Sequence, residues 1–242
     1  MIYILPLVSV VLGYVVALLL KPSNPKSIKL LLAFSGAFLL SITVMHLLPE
    51  VYSIEAGEHA HELHEHGGHA HNHNSPLGLF IMAGIIFQII LEYFSKGAEH
   101  GHVHGQGHEH KDHMPWLLFI SLCIHALMEG MPVNHQHDLA WGIAIHHFPI
   151  AIILTAFFVN SGLNKTAILL FMMAFAVMTP LGTLISGHFD FLTQYYKEVS
   201  AIVVGILFHI SSTIIFESSE GHKFNMAKLL VIILGVILAY FI

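Results

Sequence analysis

The chain has no arginine, nine lysines and a single cysteine, Cys123. The formal charge of -6 says nothing about nucleic acid, and none is expected as a partner. One cysteine excludes an internal disulfide and a CxxC metal site, so thiol content is silent about compartment. Charged residues of all kinds make up only 10% of the 242, while 55% are hydrophobic. Mean hydropathy is +0.74, more apolar than a soluble core can hide. These scarcities describe a polytopic membrane protein. The 22 histidines stand against that background, more than twice the number of lysines.

A hydrocarbon core takes about 20 apolar residues per helix. Eight such stretches fit, at about 2–20, 28–51, 77–95, 115–133, 139–160, 164–187, 194–217 and 225–242. The expected fold class is therefore all-α, an eight-helix transmembrane bundle forming a single domain over 1–242. Residues 1–20 lack a basic start, a short apolar core and a small-residue cleavage site, so they read as a first span and not as a signal peptide. An even span count puts both termini on one side. With the termini outside, Lys21, Lys26, Lys29, Lys96, Lys111, Lys165, Lys223 and Lys228 fall on cytoplasmic connections and only Lys197 outside, as the positive-inside rule asks. Trp116, Trp141, Tyr195 and Tyr196 begin spans, where amphipathic rings favour the interface.

Two connections are histidine tracts. "EHAHELHEHGGHAHNHN" falls in the outer loop 55–75 and holds seven histidines; "EHGHVHGQGHEHKDH" falls in the cytoplasmic loop 97–113 and holds six. Neutral imidazole is the commonest ligand for borderline-soft metals. One tract on each face suggests collection of a divalent ion outside and its reception or sensing inside.

Ionisable groups inside a span are costly and mark function. The fourth span carries His125 and Glu129 in "CIHALMEGMP", four residues apart on one helical face. An imidazole beside a carboxylate suits Zn²⁺. The fifth carries His146 and His147 in "IAIHHFPIAI", about 100° apart around the helix, and Pro149 opens carbonyls a turn earlier. The short outer loop "NHQHD" makes these two spans antiparallel neighbours with their histidines at similar depth. His46 and Glu50 in "HLLPE", one turn apart beside the outer tract, sit where an entrance belongs. His209 stands alone in the seventh span, while Glu92 and Glu217 fall near inner ends. Gly13, Gly36, Gly84, Gly182 and Gly205 are suited to close helix approach.

Taken together, "HALMEG" at 125–130, "HHFPIA" at 146–151, "HLLPE" at 46–50 and "TPLG" at 179–182 resemble the motifs of the Zrt/Irt-like (ZIP) divalent metal transporters. The resemblance covers essentially the whole chain, including the span count, the outside termini and a histidine-rich loop between spans 3 and 4. It implies a metal centre between spans 4 and 5, with His125, Glu129 and His146 as retained ligands of a primary site. Ile150 stands where relatives place a carboxylate, and Ala126 and Thr179 replace ligands of a secondary site. The residues support a mononuclear centre of His125, Glu129 and His146, with His147 or His46 in assistance. Fewer carboxylates favour nitrogen-loving Zn²⁺ over Mn²⁺ or Mg²⁺.

The expected function is uptake of zinc, or a related divalent ion, into the cytoplasm by alternating access around that centre. The metal is then substrate and not cofactor, and the other partner is the lipid bilayer, with a homodimer as a compatible assembly. Short loops and small size point to the plasma (cell inner) membrane. Two alternatives stand beside it: a non-transporting metal sensor or degenerate relative, and an intramembrane zinc hydrolase. The hydrolase would need an open water position and a general base, and the chain has no HExxH.

Overall fold

The computed structural model describes residues 2–20, 25–53, 76–95, 116–217 and 226–242. Both histidine tracts, together with Lys21, Lys96, Lys111 and Lys223, lie outside the described residues. The described chain is helical. α1 is Leu5–Leu20, α2 Pro25–Ile42, α3 Leu77–Ser95, α4 Trp116–Gly130, α5 Leu139–Asn160, α6 Lys165–His188, α7 Tyr196–Glu217 and α8 Met226–Tyr240. A π-helical turn, Thr43–Leu47, carries α2 on to residue 53, and a 3-10 turn, Met131–Asn134, caps α4.

Among the described residues, six helices are long and apolar enough to cross a membrane: Lys26–Ser53, Leu77–Phe94, Trp116–Asn134, Leu139–Asn160, Lys165–His188 and Tyr196–Phe216. α1 and α8 are apolar but shorter. The outward faces are greasy, with Leu79, Tyr93, Leu170, Leu184, Leu230 and Tyr240 all well exposed. In water such a surface would aggregate, whereas in a bilayer it is the solvated face.

Helix pairing follows the small residues. α3 lies on α7 so closely that a Cβ on Gly84 would come within 2.0 Å of the Ile202 carbonyl oxygen, and one on Gly205 within 2.0 Å of that of Ile81. α4 and α6 interlock in the same reciprocal way: a Cβ on Gly130 would meet Thr179 O at 2.1 Å and one on Gly182 would meet Leu127 O at 2.0 Å. α1 approaches α5 at Gly13, and α2 approaches α8 at Gly235. Two groups result, α1/α4/α5/α6 and α2/α3/α7/α8, which meet chiefly along α2–α5 and α3–α4.

Two apolar clusters fill the interior. One gathers Leu118, Leu122, Ala126, Ile150, Leu154 and Phe171; the other gathers Leu39, Ile42, Leu47, Val133, Leu139 and Ile143. Along α5 the change from one cluster to the other falls between Ile143 and Ile150, and along α4 and its 3-10 turn between Ala126 and Val133. Glu129, His146 and His147 occupy that gap and His125 lies at its edge beside Ala126, a polar layer with apolar side chains on both sides.

Candidate metal centre

Glu129 is placed by the end of α4. Close approach at Gly130 brings the chain onto α6, where the Thr183 hydroxyl donates to Gly130 O at 2.8 Å and the Ser186 hydroxyl to Met131 O at 2.8 Å. These bonds satisfy carbonyls that a helix terminus would otherwise leave open. A larger residue at 130 would lift the carboxylate off its seat.

α5 supplies the facing side. Pro149 lies inside the helix, and a turn before it the Ala144 carbonyl accepts a hydrogen bond from the Ser9 hydroxyl of α1. The carbonyl that Pro149 leaves without its i+4 donor is the neighbouring one, that of Ile145. His146 and His147 are both buried. The short loop implied close neighbours, yet α4 and α5 are joined here by side chains rather than by close backbone packing. That separation leaves room for their polar groups.

Four buried side chains converge. His125 Nε2 lies 3.1 Å from Glu129 Oε1, and His147 Nε2 donates to Glu129 Oε2 at 3.0 Å. Glu129 Oε1 is buried without a hydrogen-bond partner among the described residues. His125, Glu129 and His146 each offer a ligand atom, all within 4.8 Å of one another. His147 stands beside this trio, its ring 5.7 Å from that of His146 and 5.2 Å from that of Phe175. A fully buried carboxylate flanked by imidazoles is chemistry that a divalent cation completes. His147 Nδ1 and Thr179 Oγ1 are also buried without hydrogen-bond partners among the described residues.

The other sequence candidates find different partners. His46 and Glu50 read as a pair one turn apart on a regular helix, but the π-helical turn includes His46 and changes that spacing. His46 Nδ1 lies 3.8 Å from Asp138 Oδ2, and Glu50 Oε2 accepts from the Tyr196 hydroxyl at 3.4 Å. His209 is not alone: its Nδ1 is 3.5 Å from Glu92 Oε2, bridging α7 and α3. Glu217 closes α7, and its side chain lies outside the described residues.

Sequence reasoning missed Gln88. It is fully buried on α3, and its Oε1 sits 3.3 Å from His125 Nδ1. The signal was a lone amide in the otherwise apolar "IIFQIIL".

No family model matches the chain. A stretch of 121 residues, 48% of the chain, is 29% identical to "Zinc transporter ZIP1" of Danio rerio and covers 34% of that protein. A stretch of 94 residues, 37% of the chain, is 31% identical to "Zinc transporter SLC39A7" of Mus musculus, over 18% of its length. The protein of the same name from Homo sapiens is 32% identical over 86 residues, 34% of this chain and 18% of that protein. The chain thus matches about a third or less of the length of these curated relatives. With its apolar helices, this similarity supports a multi-pass membrane protein.

Proposed function

We propose that this chain is a divalent metal transporter that carries zinc into the cytoplasm through a centre formed by His125, Glu129 and His146. The observation that carries the reading is the convergence of these three buried side chains within 4.8 Å in the polar layer between two apolar clusters. Similarity to proteins named as zinc transporters supports zinc as the ion, as does a nitrogen-rich ligand set. In this reading α1 and α8 are the first and last of eight spans, both termini face outward, and the membrane is the cell's plasma membrane.

Alternating access needs two bodies that shift around a midplane site. The reading assigns that role to the two helix groups, each fastened internally by glycine contacts. His46 and Asp138 would then lie toward the outer end, and Glu92 and His209 toward the inner. His147 holds Glu129 in place and remains available to assist the ion.

A second reading, a metal sensor that does not transport, draws on Ile150 and Thr179. Both stand where the resemblance places carboxylate ligands, and both are buried. Reconstitution separates the two. Liposomes holding the purified full chain should accumulate radiolabelled Zn²⁺ above protein-free liposomes, with the preference across Zn, Fe, Mn, Co, Ni and Cd read in the same assay. Tight binding with no accumulation would favour the sensor and overturn transport.

A further inference from the structure

We infer that Gln88 is a positioning residue for the metal centre: its side-chain oxygen holds the proton of His125 on Nδ1, so that Nε2 presents its lone pair beside Glu129. This deepens the reading above and rests on it.

His125 Nδ1 and Gln88 Oε1 are 3.3 Å apart, and both side chains are shut away from solvent. A neutral imidazole has one donor nitrogen and one acceptor, and the partner of one nitrogen decides the state of the other. With the amide oxygen facing Nδ1, that nitrogen donates. Nε2, 3.1 Å from a carboxylate oxygen, is then the nitrogen that faces the position a cation would take. Had the amide been turned round, Nε2 would carry the proton and point a donor at Glu129, closing the site. Metal-binding histidines commonly have their second nitrogen fixed in this manner.

The amide itself looks costly in packing terms. Gln88 Nε2 is buried and has no hydrogen-bond partner among the described residues. A leucine would fill similar space in "IIFQIIL" without burying an unpartnered donor. A polar group kept at a local cost is expected where it serves a site. Gln88 also stands on α3 and His125 on α4, members of different helix groups. The hydrogen bond therefore spans the boundary along which alternating access would move them.

The test uses the full-length protein in nanodiscs, with Zn²⁺ alone as the titrant. Glu129→Ala serves as the blank for zinc held elsewhere, the histidine tracts included. Gln88→Leu should weaken the Glu129-dependent zinc site about 10- to 100-fold, while Gln88→Glu, whose carboxylate also accepts from Nδ1, should restore most of it. Nitrogen-15 histidine spectra, with the His125 signals identified by their loss in His125→Ala, should show Nδ1 protonated in the metal-free wild type and in Gln88→Glu, and a changed tautomer balance in Gln88→Leu. Equal weakening in both Gln88 variants, or an unchanged His125 tautomer in Gln88→Leu, would overturn the positioning role. Wild-type affinity in Gln88→Leu while His125→Ala loses zinc would do the same and leave the proposed centre standing. Full zinc binding in both His125→Ala and Glu129→Ala would overturn the centre itself.

Discussion

In the proposed centre the buried histidines divide into those that would face the ion and one, His147, that holds the carboxylate. His146 offers a ligand atom to the cluster with His125 and Glu129, whereas His147 donates to the far oxygen of Glu129. Removing a ligand and removing a support differ in magnitude. His146→Ala should abolish the Glu129-dependent zinc site, while His147→Ala should weaken it by about 10- to 100-fold; a zinc titration against the Glu129→Ala blank checks both. Because imidazole must be neutral to bind metal, binding at this site should also weaken as pH falls, which the same titration repeated in acidic buffer reads. His125, Glu129, His146 and His147 were legible in the sequence because ionisable groups in a long apolar run are conspicuous. Gln88 was not, since one uncharged amide gives little signal. Asp138 and Tyr196 were also unreadable as partners of His46 and Glu50, because those pairings join residues far apart in the chain.

At the scale of the helices, packing depends on a few positions where backbones touch. An alanine at Gly84 would drive its Cβ to 2.0 Å from the Ile202 carbonyl oxygen, so α3 must move off α7. Gly78, on the same helix, has nothing within 4 Å of an added Cβ. Gly84→Ala should therefore cost about 1–3 kcal/mol and lower the unfolding temperature in detergent, while Gly78→Ala should leave it unchanged or raise it. Helix positions agree with the apolar runs to within a few residues, because length and hydropathy set them directly. Glycine also announced the close contacts at Gly13, Gly36, Gly84, Gly182 and Gly205. The π-helical turn at Thr43–Leu47 was hidden, since "TVMHL" reads as ordinary helix and the irregular backbone depends on its tertiary surroundings.

For the molecule as a whole, chain order does not reveal which helices pack. The pairing of α1 with α5 and of α3 with α7 crosses long stretches of sequence, and the short loop between α4 and α5 suggested closer backbone packing than the structure has. Orientation across the membrane rests on lysine placement and is open to direct measurement. Cys123 is the only cysteine, so a Cys123→Ser background is cysteine-free. In intact cells, Gln136→Cys in that background should react with a membrane-impermeant maleimide, and Ser161→Cys should react only after permeabilisation. The reverse pattern would invert the topology and the proposed direction of transport. The central claim is that zinc crosses the membrane through the centre built on Glu129. Its most direct test is the initial rate of radiolabelled Zn²⁺ uptake into liposomes holding equal amounts of wild type or Glu129→Ala. The account predicts clear uptake by the wild type and uptake near the protein-free level for the variant; equal rates for the two would contradict it.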